Sequence, residues 1–143
     1  MSPIPAALIV EDDAHTRHLL EALVRRNHCQ AVLAADGAAA LESLAAADFD
    51  VILLDLLLPK IDGWEILRRV ELATPHLLRR IVIVTAASAA ESCECAPIRS
   101  VRHILRKPFE LRALEEQILE CVAERRRVVA TLAAAAPSPA KTA

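Results

Sequence analysis

The chain of 143 residues has few aromatic residues and little glycine: one Trp, two Phe, no Tyr and two Gly. Aromatic and β-branched side chains dominate the strands of all-β sandwiches, whereas alanine, which is abundant here, favours helices. The composition is therefore not that of an aromatic-rich all-β fold. A hydrophobic content of 55% with 25% charged residues is typical of a packed globular chain and excludes intrinsic disorder.

The chain also lacks a long uncharged hydrophobic run. The longest apolar stretch, residues 51–59, contains Asp55 and is far shorter than the roughly 20 residues of a membrane-spanning helix. Residues 1–5 have neither the charged nor the apolar region of a secretory signal. The four cysteines show no disulfide-framework spacing: Cys29, Cys93, Cys95 and Cys121. We therefore expect a cytoplasmic protein with reduced thiols and no membrane segment.

Neither sign of charge is in large excess. Seventeen Lys and Arg residues against nineteen Asp and Glu give a net charge of −2, so no global basic field attracts nucleic acid. The basic run 125–127 follows four glutamates on one predicted helix, and ion pairs between residues four positions apart explain it as a solvated helix face. We predict no nucleic-acid partner.

Short apolar runs alternate with longer stretches of helical periodicity. The predicted strands are residues 6–10, 30–35, 50–55, 80–85 and 103–106. The predicted helices are residues 14–27, 37–47, 64–73 and 110 to about 132, whereas 88–100 is poorly patterned and 133–143 is expected to form a flexible tail. This alternation predicts βαβ units, and therefore a parallel sheet with helices on both faces.

Polar residues come directly after the predicted strands. They are Glu11, Asp12 and Asp13 after the first strand, Asp55 and Thr85 at the ends of the third and fourth, and Lys107 after the fifth. Ligands of open parallel sheets bind outside the carboxyl ends of the strands, so these side chains are expected to meet at one edge. Each residue also has a structural explanation; Asp13, for example, precedes a helix and is expected to cap it.

Asp55 is the hardest of these residues to explain by structure alone. A carboxylate within an apolar strand costs several kcal/mol, roughly, unless a partner compensates. Several carboxylates at one edge repel one another and therefore predict a divalent cation, and oxygen ligands favour Mg²⁺, with Mn²⁺ as the alternative, over zinc. Lys107 would supply a movable positive charge where an oxyanion comes and goes.

Four segments together identify a family. These are Leu-Ile-Val-Glu-Asp-Asp at 8–13, Ile-Leu-Leu-Asp-Leu-Leu-Leu-Pro-Lys-Ile-Asp-Gly at 52–63, Val-Thr-Ala at 84–86 and Lys-Pro-Phe at 107–109. Residues 6–124 closely resemble a response-regulator receiver domain. The resemblance implies a flavodoxin-like (βα)₅ fold, a doubly wound parallel sheet with strand order 2-1-3-4-5. It also implies phosphoryl transfer from the phosphohistidine of a histidine kinase to an aspartate.

The resemblance implies a role for each matching residue. Asp55 would be the nucleophile that becomes phosphorylated. Mg²⁺ would be bound directly by Asp12, Asp55 and the backbone carbonyl of Leu57, and through water by Glu11. Phosphoryl oxygens would be held by Lys107, Thr85 and the amide of Ala86. The Lys107–Pro108 peptide bond is expected to be cis.

Three positions depart from the family pattern. Ile104 stands where receivers often carry Tyr or Phe, so a Thr–aromatic switch is not implied. Leu57 and Ala87 stand where polar side chains of the family can orient a hydrolytic water, and neither can do so by hydrogen bonding. We therefore expect a slowly decaying phosphoryl group.

These inferences predict a stand-alone receiver domain over residues 1–124, with a helical extension and tail over 125–143. It would accept a phosphoryl group from a histidine kinase or phosphotransfer protein and act through a downstream protein target. The alternative is a receiver excised from a larger regulator or hybrid kinase. A Mg²⁺-dependent phosphohydrolase of similar topology would need an acid two residues after the nucleophile, where Leu57 stands.

Cys93 and Cys95 could form part of a metal or redox site. Zinc needs about four ligands, and only the distant His28 or His103 could complete the set. Two incidental thiols are the favoured interpretation.

The apolar spacing of the last helix continues beyond the receiver boundary, through Val128 and Leu132. Exposed on a free extension, these side chains predict packing against a partner or a second copy, as in a homodimer; the alternative is that the extension frays.

Overall fold

The computed structural model describes residues 3–86 and 96–135. The strands are β1 (Ala6–Val10), β2 (Gln30–Ala34), β3 (Val51–Leu54), β4 (Ile81–Thr85) and β5 (His103–Arg106). The α-helices are α1 (Ala14–Arg26), α2 (Gly37–Ala46), α3 (Gly63–Ala73) and α4 (Leu111–Ala135), and 3₁₀ helices span Pro75–Arg80 and Ala96–Ser100. The predicted elements are confirmed to within a few residues, although α4 continues to Ala135, into the predicted tail. Most of the poorly patterned segment lies outside the described residues.

All five strands are parallel, in the order β2-β1-β3-β4-β5. The predicted flavodoxin-like fold is therefore confirmed. Successive residues of β1 point to opposite faces, because side chains alternate along a strand. Ala7 and Ile9 join the core packed under α1 and α4, whereas Leu8 and Val10 join the core packed under α2 and α3. Burial on both faces explains why the central strands are almost entirely apolar.

Aspartates begin three of the helices. Asp13 accepts hydrogen bonds from the backbone N–H and the hydroxyl of Thr16, at 2.8 and 2.7 Å, which confirms its predicted capping role. Asp36 and Asp62 cap α2 and α3 in the same way. Each cap satisfies a backbone donor that the first helical turn leaves without a partner.

The edge of the sheet where the strands begin is crossed by ion pairs between elements. Asp48 lies 2.8 Å from Arg80 and 2.7 Å from Arg125, and Glu124 pairs with Arg102. Within the described residues, no ion pair joins two residues of α4. The prediction that pairs four residues apart explain the basic run is therefore wrong: Arg125 pairs with Asp48 instead, and Arg126 and Arg127 are exposed.

No helix in the described part of the chain is both long enough and apolar enough to cross a membrane.

Candidate phosphorylation site

The carboxyl ends of β1, β3, β4 and β5 bring the predicted polar residues together. Val10 pairs with Leu54, so Glu11 and Asp55 leave the sheet side by side. Thr85 pairs with Arg106, which places Lys107 directly beyond the next strand. Parallel register therefore converts positions far apart in sequence into one cluster at this edge.

Three carboxylates form the centre of the site. Each of Glu11, Asp12 and Asp55 offers a carboxylate oxygen within 4.8 Å of the others. Glu11 and Asp55 are only 1% and 4% exposed, whereas Asp12 is exposed. Two buried acids and one accessible acid make a pocket of oxygen donors with an opening to solvent. This donor set fits a hard divalent cation such as Mg²⁺.

Lys107 is the cation that holds this cluster together. Its Nζ lies 2.9 Å from Oε2 of Glu11 and 3.0 Å from Oδ2 of Asp55. One ammonium thus donates to two buried carboxylates at hydrogen-bond distance. Three acids meet here and Lys107 pairs with two of them, so among the described residues the cluster has fewer positive than negative charges.

The pKa values reflect this shortage. Burial raises the pKa of Glu11 to about 7; the Lys107 hydrogen bond opposes that rise and the charge of Asp55 adds to it. Burial lowers the pKa of Lys107, but the hydrogen bonds that it donates to Glu11 and Asp55, together with their charges, outweigh burial, so its pKa lies above the ordinary value. Lys107 therefore stays charged, whereas the buried Glu11 carries its charge at a cost.

Backbone groups fix the orientation of the acids. The Leu57 amide donates to Oδ1 of Asp55 at 3.0 Å, and the Asp13 amide donates to Oε1 of Glu11 at 3.2 Å. The loop after β3 also packs close to the site: a Cβ at Gly63 would lie 2.5 Å from the carbonyl oxygen of Asp55, so only glycine fits there. These contacts hold Asp55 in one position before any ligand arrives.

Arg17 is a site-supporting residue that the sequence analysis did not identify. Its Nη1 donates to the backbone carbonyls of Glu11 and Asp12, at 3.0 and 3.2 Å. It thereby ties the acidic loop to the start of α1. A basic residue on the helix directly after an acidic run was the available signal, but helix periodicity gives no indication that its side chain turns back toward backbone carbonyls.

The remaining predicted residues surround the cluster. Thr85 is fully buried at the end of β4, and Ala86 beside it is exposed. Leu57 is 53% exposed next to Asp55. The Lys107–Pro108 peptide bond is cis, as predicted. Ile104 is half-buried and packs against the core under α2 and α3.

Some predictions fall on residues that the structure does not describe. Ala87, Cys93 and Cys95 lie outside the described residues. The other two cysteines, Cys29 and Cys121, are buried free thiols.

The sequence model of the family named "Response regulator receiver domain" matches residues 7–119. Among curated proteins, the transcriptional activator protein PfeR of Pseudomonas aeruginosa is 35% identical over 115 residues, which is 79% of this chain and 36% of that protein. Sporulation initiation phosphotransferase F of Bacillus subtilis is 30% identical over 112 residues, 78% of this chain and 88% of that protein. Response regulator receiver protein CpdR of Brucella abortus is 32% identical over 111 residues, 78% of this chain and 91% of that protein.

Solved structures share the fold. The receiver domain of a sensor histidine kinase from Pseudomonas aeruginosa, with a magnesium ion coordinated in its active site cleft, is 26% identical, with a TM-score of 0.74 over 85% of this chain and 99% of that one. A CheY-like receiver domain protein from Methanospirillum hungatei has a TM-score of 0.78 at 22% identity, over 87% of this chain and 98% of that one. The chain spans only 36% and 49% of the first two curated relatives.

Proposed function

Because the chain belongs to the family of response-regulator receiver domains, we propose that it accepts a phosphoryl group on Asp55. The observation that carries this proposal is the constellation around that residue: a buried carboxylate that Lys107 contacts at 3.0 Å, beside two further acids. Asp48, also on the sheet's margin, has arginine partners of its own, whereas Asp55 shares its single cation with Glu11. This contrast supports Asp55 as the aspartate that reacts.

The metal in this proposal is Mg²⁺, with Mn²⁺ as the alternative. Asp12 and Asp55 would bind it directly, together with the carbonyl of Leu57, and Glu11 would hold it through water. The all-oxygen donor set supports this assignment, as does the family likeness. When bound, the cation neutralises charge on the transferring phosphoryl group.

The residues of the chain then supply positioning and charge. An Asp55 carboxylate oxygen attacks the phosphorus as the bond from phosphorus to the donor's histidine nitrogen breaks, and the donor keeps that electron pair. The Lys107 ammonium, already 3.0 Å from Asp55, stays with the phosphoryl oxygens as they arrive. The Thr85 hydroxyl and the Ala86 amide would donate hydrogen bonds to the same oxygens. Little reorganisation is needed, because the buried acid and its lysine are held in place beforehand.

The donor would be a histidine kinase or a phosphotransfer protein, and the output a downstream protein contact. The proposal includes a cytoplasmic location, which is what the sequence predicts. The chain is not a turnover enzyme in this scheme, although its side chains take part in their own modification. A receiver of 1–124 followed by an extension of 125–143 remains our division of the chain.

The alternative is that this receiver works within a larger regulator or hybrid kinase. It is favoured by relatives of which the chain spans 36% and 49%. It is opposed by the phosphotransferase and the receiver protein of which the chain spans 88% and 91%. The genomic context of the reading frame decides between a stand-alone receiver and a receiver within a larger protein.

The phosphoacceptor is tested with a small donor. Purified protein is incubated with Mg²⁺ and acetyl phosphate, and its intact mass is measured. We expect a gain of one phosphoryl group that is lost in Asp55→Asn and retained in the matched control Asp48→Asn, whose carboxylate lies at the opposite edge. A modified Asp55→Asn protein, or an unmodified wild type whose Mg²⁺ site is shown to be filled, would contradict the proposal.

A further inference from the structure

A groove crosses the end of the molecule opposite the phosphorylation site. Two adjoining cavities of about 460 Å³ each lie where β4 and β5 begin, between the 3₁₀ helices and α4. They share Arg79, Arg102 and Glu124 in their linings, so they form one continuous feature. We call it the basal groove. Each cavity has the volume of a small-molecule site, and together they suit an elongated ligand.

The basal groove is rich in positive charge. Its lining includes five arginines, Arg79, Arg80, Arg99, Arg102 and Arg125, against two carboxylates, Asp48 and Glu124. Arg80 and Arg125 pair with Asp48, and Arg102 pairs with Glu124.

Two of these arginines differ from the other three. Arg79 and Arg99 are exposed, and neither forms an ion pair with any residue in 3–86 or 96–135. The inner arginines are held by the protein's own acids, whereas the outer two guanidiniums face solvent. Exposed guanidiniums can bind an external anion, and the guanidinium fork suits carboxylates.

One wall of the basal groove is apolar. Val128 and Leu132 of α4 line it, and they are 46% and 64% exposed. They continue the helical stripe whose earlier members, Leu114, Ile118 and Cys121, are buried in the domain. The end of α4 that carries Val128 and Leu132 gains little stability from helix propensity alone, because most helical stability comes from packing. Exposed apolar side chains beside an open groove indicate an interaction surface.

We propose that the basal groove docks an acidic, amphipathic segment of a partner protein. Its carboxylates would bind Arg79 and Arg99, and an apolar side chain would pack on Val128 and Leu132. Charge complementarity selects this occupant over a second copy, because two copies meeting here would bring two arginine-rich grooves together. It also selects against nucleic acid, whose phosphates would meet Asp48, Glu124 and the apolar wall.

This docking surface goes beyond the phosphoacceptor function. It lies at the amino ends of the strands, whereas Asp55 lies beyond the carboxyl end of β3. A partner held in the basal groove would leave the phosphorylation site open to its donor. Docking and phosphorylation are therefore expected to be separable.

The experiment uses the full chain and a defined probe. The probe is a short, fluorescently labelled synthetic peptide with leucines at helical spacing flanked by glutamates, and its control carries lysines in place of the glutamates. Binding is followed by fluorescence anisotropy at several salt concentrations. The groove variants are Arg79→Ala with Arg99→Ala, and Val128→Ser with Leu132→Ser. The matched controls, Arg127→Ala and Leu119→Ser, change exposed side chains of α4 that do not line the groove.

We expect saturable binding of the acidic peptide that weakens with salt. It should weaken at least about tenfold in each groove variant and less than about twofold in either control. Acetyl phosphate should modify every variant as it modifies wild type, so a failure of docking is distinguishable from a failure of the phosphoacceptor proposal.

Three peptide-binding results would overturn the inference: equal affinity for the acidic and basic peptides, equal losses in groove and control variants, or competition by duplex DNA as effective as by unlabelled peptide. A dimer in sedimentation that the groove variants abolish would also overturn it, in favour of a second copy.

Discussion

The two ends of the parallel sheet handle charge in opposite ways. At the carboxyl ends, Glu11 and Asp55 share the ammonium of Lys107, and a carboxylate oxygen of Asp12 lies within 4.8 Å of theirs. At the amino ends, Asp48 has two arginine partners, and the basal groove retains further arginines. Among the described residues, the first edge has fewer cations than acids, and the second has more arginines than its acids pair with.

This difference separates a reactive site from a structural one. Burial raises the pKa of Asp48, but Arg80 and Arg125 lower it by more than burial raises it, so its pKa lies below the ordinary value. The pKa of Glu11 moves the other way, to about 7. Acids that are paired with cations stabilise the fold and need no ligand. Acids with too few cations repel one another, and a bound metal lowers that unfavourable free energy, as does contact between a phosphoryl group and Lys107.

The largest expected effect concerns the binding of Mg²⁺ at the acidic edge. We expect Mg²⁺ affinity to fall at least about tenfold in Asp12→Ala, because loss of a direct ligand should cost no less than loss of an outer-shell partner. The measurement is a Mg²⁺ titration followed by the fluorescence of the single tryptophan, Trp64, or by calorimetry.

Asp48→Ala is the matched control for that titration, since it removes a carboxylate from the edge that already has arginines. Its Mg²⁺ affinity should equal that of wild type. If Asp12→Ala binds Mg²⁺ as tightly as wild type, the site assignment is wrong.

The next effect concerns loss of the phosphoryl group. Leu57, half-exposed beside Asp55, cannot orient a hydrolytic water by hydrogen bonding, and nor can Ala87. We therefore expect slow decay in wild type and decay about tenfold faster when Leu57→Asn is combined with Ala87→Glu. The phosphoprotein is followed by intact mass after the donor is removed.

Leu72→Asn is the control for the decay measurement, because Leu72 is an exposed leucine at the far end of α3. Lifetimes that are equal in wild type and the double variant would show that these two side chains do not limit hydrolysis.

The acidic edge could be predicted because its residues directly follow strands. Glu11 and Asp55 follow apolar runs, Lys107 follows β5, and parallel topology brings such positions together. The local strand and helix periods therefore predicted the parallel α/β class and the edge where these residues meet, whereas the strand order and the role of each residue came from the family resemblance.

The other edge could not be predicted in this way. Arg125 contacts Asp48, which is 77 positions earlier in the sequence, and no local period encodes that pairing. Pairing by sequence spacing instead favoured neighbours on α4, which tertiary packing overrode. Arg17 was missed for a related reason, since its partners are backbone carbonyls that a sequence does not mark.

A smaller expected effect is on the free energy of unfolding, which should change in opposite directions when a carboxylate is removed from one edge or from the other. In metal-free protein at about pH 8, we expect Glu11→Gln to increase the free energy of unfolding by about 1 kcal/mol, because it removes a buried charge that its neighbours do not fully compensate. Asp48→Asn should decrease it by about 1 kcal/mol, because two arginines lose their carboxylate. Urea unfolding measures both, and shifts of the same sign would refute the contrast between the edges.

The smallest effect is the pH dependence of the Asp48 contribution. A carboxyl whose folded pKa lies below its unfolded value binds fewer protons in the folded state, so its stabilisation is present above the unfolded pKa and is lost as the pH falls through the folded one. The stability difference between wild type and Asp48→Asn should therefore be constant near neutral pH and narrow below about pH 4. Urea unfolding midpoints measured in steps of pH give this difference. Because Asp48 is largely exposed, salt screens its pairs, and the difference at neutral pH should also shrink at high ionic strength. A difference that stays the same at acid pH would mean that shape or hydrogen bonding, rather than charge, accounts for the role of Asp48 at the amino ends of the strands.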